Sequence, residues 1–374
     1  MKKIAVLFGG ESAEHEVSVV TGLQVLENID RDLFDVYPIY VTQKGILFYQ
    51  DIYKRDDFNP GSGRQIYFSR DGDGAYFSTR GLFSNKVYVE LAYLALHGGK
   101  GESGQTQGFL EMLGIPYTSP SLESSAFSMN KVATKEILDA NKILNVPYVR
   151  VFSKDIEDNV DSEVDKVLRS IKLPLIIKPA HLGSSIGVKI ARTTVELKKY
   201  FLETSQMDTE ILVEKLMKKF VEYNISIRNI DGKMELSEIE RPKSEDEILS
   251  FADKYERGGK KTGGMESLSR ELPAKVTRSL RKQVEDTALE VYRILRMTGV
   301  VRIDFMVSSN KLYVTEVNPI PGSMSFYLWE ASGIDFKRQI TESITQAIKD
   351  NEYAKSKRLE YKSDIIEKFV KSRN

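Results

Sequence analysis

Apolar and polar residues alternate along two neighbouring segments, 301–307 and 312–317, with a short polar break between them. A period of two is typical of strands that bury one face, so these segments predict an antiparallel β-hairpin. The length of the break indicates a loop of three or four residues. We therefore predict that Ser308 pairs with Leu312 beside the loop.

This register decides which side chains share a face of the hairpin. Residues two apart on a strand point the same way, so Asp304 would lie opposite Glu316, and Arg302 opposite Asn318. Two carboxylates that face each other repel, and a cation between them removes the repulsion. Oxygen ligands on a rigid hairpin suit Mg²⁺, which keeps waters and substrate phosphates around it. The alternative is a solvated face that carries a few charges.

The rest of the pattern alternates short apolar strands with helices, which is typical of an α/β fold. The first strand, 4–8, leads through two glycines into a helical run at 19–29. A later strand, 87–96, leads through another glycine-rich loop into a helix at 106–113. Residues 45–86 show no clear period and indicate short strands and loops inserted in the first domain.

Three segments bear on the organisation of the remaining chain. A shift to Ser, Thr and Pro at 118–122 indicates a domain boundary, and a helix is predicted after it at 124–140. The charged, glycine-containing segment 243–269 predicts a long loop, and such loops are usually functional or disordered. The tail 349–374 predicts a charged helix whose apolar side indicates packing or a dimer contact.

Composition narrows the classes of function. The chain has 374 residues, too many for one ordinary domain, and a net charge of zero. No basic field argues for nucleic acid, and no apolar run is long enough to span a membrane, so neither partner is expected. The absence of cysteine is compatible with a reducing cytoplasm.

Both glycine-rich loops carry candidate binding groups. Glu14 follows the first pair of glycines; it could hold a ligand ammonium or be an ordinary acid at a helix start. A glycine loop before a helix is an anion-binding arrangement, as at 97–105. Two of the three histidines, His15 and His97, lie in these loops, and this position modestly favours a functional role for them.

A third glycine-containing loop has the character of a phosphate site. Lys178 closes an apolar strand and precedes the Gly/Ser loop 181–187 and another apolar strand. Backbone N–H groups and hydroxyls of such a loop can bind phosphate oxygens, with the lysine adding charge. The strand at 210–217, followed by a short exposed backbone segment, is typical of sites that bind adenine edges.

Five motifs in order resemble those of the D-alanine–D-alanine ligases of the ATP-grasp superfamily, over residues 4–340. They are GGESAEHEVS, HGGKGESGQTQGFLEMLGIPYTS, IIKPAHLGSSIGV, ADKY and RIDF…EVNPIPG. The resemblance implies an ATP-grasp fold with an N-terminal doubly wound domain at 1–120, which binds substrate. It also implies a central ATP-grasp subdomain at 121–195 and a C-terminal one at 196–374, with the metal site and the last helices.

The same resemblance implies an activity. ATP phosphorylates the first carboxyl substrate to an acylphosphate, and the amine of a second D-amino acid attacks it. The cofactors would be ATP and two Mg²⁺ ions, with Mn²⁺ a possible substitute. The expected setting is cytoplasmic peptidoglycan precursor synthesis by a homodimer that acts on amino acids.

The resemblance also assigns roles to residues. Glu14 holds the ammonium of the first substrate, with Ser184 and Tyr255 as its hydrogen-bonding partners. Arg302 and the N–H of Gly322 are the oxyanion donors. The metal ligands are Asp304, Glu316 and Asn318. Further substrate contacts are assigned to His97, Ser323 and Ser325. The ATP contacts are Lys131, Lys178, Ser185, Glu214, Lys215, Leu216, Met217, Glu222 and Lys254.

The chain departs from the family pattern at several positions. Ser103 stands where Asp is usual, Pro319 replaces Thr, and the loop before Glu222 is one residue longer. The segment after Gly322 is about four residues shorter, so Ser323 and Ser325 both stay candidates for the second substrate's carboxylate. The alternatives are a ligase with another second substrate, such as D-Ser, and an inactive nucleotide-binding regulator. Tyr255 argues against a D-alanyl-D-lactate variant.

Overall fold

A computed structural model describes residues 1–79, 85–217, 219–243, 270–357 and 363–371. Tyr255 and Lys254, together with nearly all of the predicted loop 243–269, lie outside the described residues. Among the described helices, none is long and apolar enough to cross a membrane.

The first part of the chain forms one seven-stranded sheet. Its strands and helices are β1 (Lys2–Gly9), α1 (His15–Asn28), β2 (Phe34–Val41), β3 (Leu47–Tyr49), β4 (Arg64–Asp71), β5 (Gly74–Thr79), β6 (Val87–Tyr88), β7 (Leu91–Leu96), α2 (Gly99–Glu102) and α3 (Gln105–Leu113). Strand β1 runs parallel to β2 and β7, and the remaining strands extend the sheet antiparallel in the order β6-β5-β4-β3-β2-β1-β7. Strands β1 and β7 are almost wholly buried, which accounts for their continuous apolar sequence.

A second, four-stranded antiparallel sheet follows. Its elements are α4 (Leu122–Met129), α5 (Lys131–Ala140), β8 (Tyr148–Phe152), α6 (Ser153–Ser170), β9 (Leu175–Pro179), β10 (Lys189–Ala191), α7 (Thr194–Thr204) and β11 (Glu210–Lys215), with strand order β10-β9-β11-β8. The single helix predicted at 124–140 is two helices, because Asn130 ends α4 and its side chain caps the first N–H groups of α5. Strand β11 pairs with β8 and β9, so this sheet continues past the boundary predicted at residue 195.

The third part contributes another four-stranded sheet and the last helices. Its elements are β12 (Phe220–Ile230), β13 (Lys233–Leu236), β14 (Arg241–Pro242), β15 (Arg270–Glu271), α8 (Arg278–Ile294), β16 (Val301–Ser308), β17 (Lys311–Asn318), α9 (Phe326–Ala331), α10 (Phe336–Ser356) and α11 (Ile365–Lys371). The sheet order is β13-β12-β16-β17. Apolar side chains that follow β17, including Ile320, Met324 and Leu328, join the core of the first domain. The end of the β16–β17 hairpin is therefore anchored to the N-terminal sheet.

The predicted loop of this hairpin is wrong, and so is its predicted pairing beside the loop. Only Ser309 and Asn310 connect the strands, both at positive φ, as in the mirror-image turns that match the twist of a hairpin. Ser308 therefore pairs with Lys311 and not with Leu312. A shorter turn changes the register by one residue.

A β-bulge between the turn and the candidate site shifts the register back by one residue. The register shifts between Asp304 and Phe305, where Thr315 is the extra residue on β17. The hydroxyl of Thr315 donates to the carbonyl of Asp304 at 2.9 Å and so satisfies the backbone there. Beyond the bulge Asp304 lies opposite Glu316, as predicted, because the turn and the bulge have opposite effects on the register.

Candidate active site

A cleft lies between the second and third sheets. The second sheet contributes Lys178 and residues 214–217, and the third contributes Glu222, Asp304 and Glu316. A smaller cavity adjoins it on the side of the N-terminal domain and is lined by Glu14, Ser184 and Gly322, among others. Lys131, Arg302 and Glu316 line both spaces, so these three residues stand where the two meet.

The hairpin places its polar residues at this junction. Both nitrogens of the Arg302 fork donate to the Asp304 carboxylate, at 2.7 and 2.8 Å, and the Asn318 amide donates to the same carboxylate at 3.1 Å. Burial opposes the charge of Arg302, but the adjacent Asp304 raises the pKa of the guanidinium well above its ordinary value. Arg302 is therefore a fixed cation at the base of the cleft.

The donors present on this face are oxygens that suit Mg²⁺. Asp304 and Glu316 supply two carboxylates from directly opposed positions, and Asn318 adds an amide oxygen two residues further along β17 on the same face. The described part of the chain contains no cluster of three histidine, cysteine or acidic residues arranged for a metal. Any metal held here would thus depend on two acids, the amide and groups from outside the protein.

Lysines approach the same face from the second sheet and its helices. The ammonium of Lys131 donates to the carbonyl of Leu182 at 2.6 Å and lies 3.7 Å from the carboxylate of Glu316. Lys131 is the first residue of α5, and the Asn130 cap fixes the start of this helix. The contact with Leu182 ties the lysine to the Gly/Ser loop 181–187 that the sequence assigned to phosphate binding.

A buried ion triad supports the other lysine of the cleft. Glu214 ion-pairs with Lys178 through one oxygen and with Lys135 at 2.6 Å through the other. Burial would raise the pKa of Glu214, but the two lysines lower it to about 2. Burial would lower the pKa of the Lys178 ammonium, but Glu214 and more distant acids raise this pKa overall. Both groups therefore stay charged near neutral pH.

An apolar slot continues from this triad. Val146, Ile176 and Phe220 line it beside residues 215–217, which run between β11 and β12. The backbone there is held at its start, because the N–H of Leu216 donates to the carbonyl of Pro174 at 3.1 Å. Apolar side chains beside polar backbone groups suit an aromatic base. Glu222 and Ser185 line the same cleft.

The smaller cavity is built around Glu14. The hydroxyl of Ser184 donates to its carboxylate, which joins the N-terminal domain to the Gly/Ser loop. A Cβ on Gly98 or Gly183 would lie 2.5 or 2.6 Å from the Glu14 carboxylate, closer than any side chain tolerates. A larger residue at either position would therefore displace the Glu14 carboxylate, and Gly98 has in addition a φ of +64°, which favours glycine.

His97 lines this cavity, but both of its ring nitrogens are engaged within the protein. Nδ1 donates to the carbonyl of Ile320 at 2.9 Å, and Nε2 lies 2.8 Å from the hydroxyl of Thr21. Burial, with a smaller effect of the Arg302 charge, lowers the pKa of His97 to about 4. The imidazole is neutral at physiological pH, with the proton on Nδ1 because a carbonyl only accepts.

Ser323 and Ser325 lie in a tight turn after Gly322, and neither lines the smaller cavity. Both are buried, and with Met324 they form three consecutive residues near φ +50°. Each such residue costs roughly 1–2 kcal/mol outside glycine. The N–H of Ser323 donates to Thr21, while the hydroxyl of Ser325 has no hydrogen-bond partner in the described residues. Their assignment to the second substrate stays a prediction.

Several residues of the site were not given a role from the sequence. Glu102 is buried in the smaller cavity and accepts from two backbone N–H groups, and Lys135 completes the ion triad. Both carried a signal: Glu102 is an acid inside a glycine loop, and Lys135 lies four residues after Lys131, on the same helix face. The sequence carried no signal for Thr21, since it is one polar residue within an amphipathic helix.

The class of protein follows from this architecture. Two antiparallel sheets enclose a cleft lined by lysines on one side and acids on the other, beside an α/β domain that supplies a second cavity. The chain has an ATP-grasp fold.

Comparisons with known proteins agree. The family model described as D-ala D-ala ligase N-terminus matches residues 3–120, and the model described as D-ala D-ala ligase C-terminus matches residues 137–345. A D-alanine–D-alanine ligase of Thermosipho africanus is 34% identical over 96% of both chains. This chain therefore belongs to the D-alanine–D-alanine ligase family.

Solved structures share the fold over nearly the whole length. The D-alanine–D-alanine ligase of Coxiella burnetii has a TM-score of 0.79 at 24% identity, covering 100% of this chain and 99% of its own. The VanG D-Ala:D-Ser ligase of Enterococcus faecalis has a TM-score of 0.77 at 26% identity, covering 92% of this chain and 99% of its own.

Proposed function

We propose that the chain is an ATP-dependent ligase that joins two D-amino acids, of the D-Ala and D-Ala type, through an acylphosphate. The observation that carries the proposal is the junction of the two cavities at Lys131, Arg302 and Glu316. A nucleotide in the cleft would end there with its γ-phosphate, and an amino acid held by Glu14 would end there with its carboxylate.

The residues suit each bond change. A carboxylate oxygen of the first amino acid attacks the γ-phosphorus and ADP leaves, while Lys131 and Lys178 offset the phosphate charge. The amine of the second amino acid then attacks the acyl carbon. Arg302 and the N–H of Gly322 would stabilise the resulting oxyanion, each worth about 3–4 kcal/mol in comparable sites. Phosphate departs as the peptide bond forms.

The metal assignment rests on the donor set. Asp304, Glu316 and Asn318 would hold Mg²⁺, with Mn²⁺ a plausible substitute on the same oxygens. The ions would neutralise phosphate charge, and two of them are proposed from the family resemblance. Peptidoglycan precursor synthesis, the cytoplasm and a homodimer are proposed on the same ground.

The remaining assignments are proposals of the same kind. Glu214 would position Lys178, with which it forms an ion pair at the cleft. Residues 215–217 would contact the base. Glu222 would contact the ribose and Ser185 a phosphate. Tyr255 and Lys254, outside the described residues, are proposed to act over the amino acid and the nucleotide.

A second candidate is a ligase whose second substrate is D-Ser or another amine. It is favoured by the short segment after Gly322, where neither Ser323 nor Ser325 reaches the smaller cavity. The solved relative from Enterococcus faecalis is itself named as a D-Ala:D-Ser ligase. In this candidate, the substrate pocket would differ from the usual family pattern where the second amino acid binds.

The test is phosphate release from ATP with D- and L-amino acids, singly and in pairs, with the product identified by mass. We expect release with D-Ala alone and a D-Ala dipeptide as product. Release only when a second amine is added would favour the other candidate. No release with any amino acid, together with retained ATP binding, would favour a nucleotide-binding regulator.

A further inference from the structure

The backbone of Ile320 is held by two side chains from the N-terminal domain. Its carbonyl accepts from Nδ1 of His97 at 2.9 Å, and its N–H donates to one oxygen of Glu102 at 3.1 Å. The other Glu102 oxygen accepts from the N–H of Gly98 at 2.8 Å. Both backbone polar groups of one residue are thus satisfied across a domain boundary.

Thr21 extends this network to the other end of the turn. Its hydroxyl oxygen accepts from the N–H of Ser323 at 3.0 Å and lies 2.8 Å from Nε2 of His97. With the proton of His97 on Nδ1, Nε2 accepts, so the Thr21 hydroxyl donates to it. Thr21, His97 and Glu102 are all buried. We call these three residues the clamp.

The clamp encloses Gly322, the proposed oxyanion donor. Ile320 lies two residues before it and Ser323 directly after it, and Asn318 lies a further two residues upstream. The turn has one internal backbone hydrogen bond, from the N–H of Met324 to the carbonyl of Pro321 at 2.8 Å, but residues 323–325 are all in the left-handed region. Strained backbone of this kind persists only where the surroundings fix it.

We infer that Thr21, His97 and Glu102 are positioning residues that hold the 320–323 backbone, so that the Gly322 N–H points at the oxygen that becomes the oxyanion. His97 then acts on the protein backbone and not on the substrate, since both of its nitrogens are engaged. This inference rests on the proposed function for its catalytic consequence, while the contacts themselves do not depend on it. Thr21 is the residue to change, because it lines neither cavity of the site.

The matched variants are Thr21→Val, which keeps the shape and removes the hydroxyl, and Thr21→Ser, which keeps the hydroxyl. We expect Thr21→Val to lower kcat about 10- to 100-fold, since a displaced donor misses the transition state. KM for ATP and for D-Ala should change little, and Thr21→Ser should stay near wild type. Equal kcat in the two variants would overturn the inference, as would a rise in KM alone.

Hydrogen exchange supplies a readout that needs no activity. Because residues 319 and 321 are prolines, the stretch 319–323 has only three backbone amides, and the clamp holds two of them. Thr21→Val should speed exchange in this stretch about ten-fold relative to Thr21→Ser, and Glu102→Leu, which has no acceptor for the Ile320 N–H, should speed it relative to wild type. Unchanged exchange in both variants contradicts the clamp. If the wild type is inactive but the variants show the expected faster exchange, the proposed function is contradicted and the clamp is not.

Discussion

Replacing Glu214 by Gln should destabilise the protein strongly, because this residue neutralises two lysines, Lys178 on the second sheet and Lys135 on α5. Its side chain and that of Lys135 are each only 3% exposed. Glutamine keeps the shape but removes the charge, and breaking a buried ion pair from one side typically costs 3–5 kcal/mol. Lys135 would keep only neutral acceptors, which are the new amide oxygen, Asn145 and the carbonyl of Val146.

The pKa of Glu214 gives an independent magnitude. A carboxyl whose pKa falls from 4.5 to about 2 on folding adds about 3 kcal/mol of stability near neutral pH. Since the folded value is the lower one, this contribution is complete above pH 4.5 and is lost as the pH falls towards 2. Burial lowers the pKa of Lys135 despite the adjacent Glu214. The charged form of Glu214, which contacts two cations, is therefore stabilised more by the ion pair than the charged form of Lys135 is.

The assay is urea unfolding followed by circular dichroism over a series of pH values. We expect Glu214→Gln to lower the free energy of unfolding by about 3 kcal/mol at pH 7, with a difference that narrows below pH 4.5. Glu136→Gln is the matched control, since Glu136 pairs with Arg150 on the surface and should cost less than about 1 kcal/mol. Equal losses in the two variants, or a difference independent of pH, would refute the reasoning.

Three further predictions concern the hairpin. Asp304→Asn should abolish turnover while calorimetry still detects ATP binding; measurable turnover at the wild-type rate would contradict its role. Arg302→Lys removes the two-pronged contact and should lower kcat about 10²- to 10³-fold with little change in ATP affinity, as steady-state kinetics would show. Thr315→Val removes the hydrogen bond to the Asp304 carbonyl and should cost about 1 kcal/mol in urea unfolding, whereas Thr315→Ser should not; equal stability of the two would contradict the account of the bulge.

The pairing of Asp304 with Glu316 was predicted from the alternation together with an assumed loop length, but the geometry that produces this pairing could not be predicted. The period of two fixes which residues share a face once one pair is known. It does not reveal the two-residue turn at Ser309, nor the extra residue at Thr315, since polar residues occupy both a turn and a bulge. The correct facing pair thus followed from an incorrect loop.

Long-range contacts account for most of what sequence reasoning missed. Glu214 was assigned to the nucleotide from the family resemblance, and its two lysines come from segments 79 and 36 residues away. The clamp joins Thr21 to Ser323 across 302 residues. Local patterns report the period of an element and carry no information on what its polar residues meet in the fold.

The central claim is that a substrate carboxylate takes the γ-phosphate of ATP and an amine displaces it. The most direct measurement uses D-alanine with both carboxylate oxygens replaced by ¹⁸O, and follows the released phosphate by mass spectrometry. The account predicts one ¹⁸O in each phosphate and one retained in the peptide carbonyl of the product. Phosphate without label, or label transferred to AMP, would contradict it.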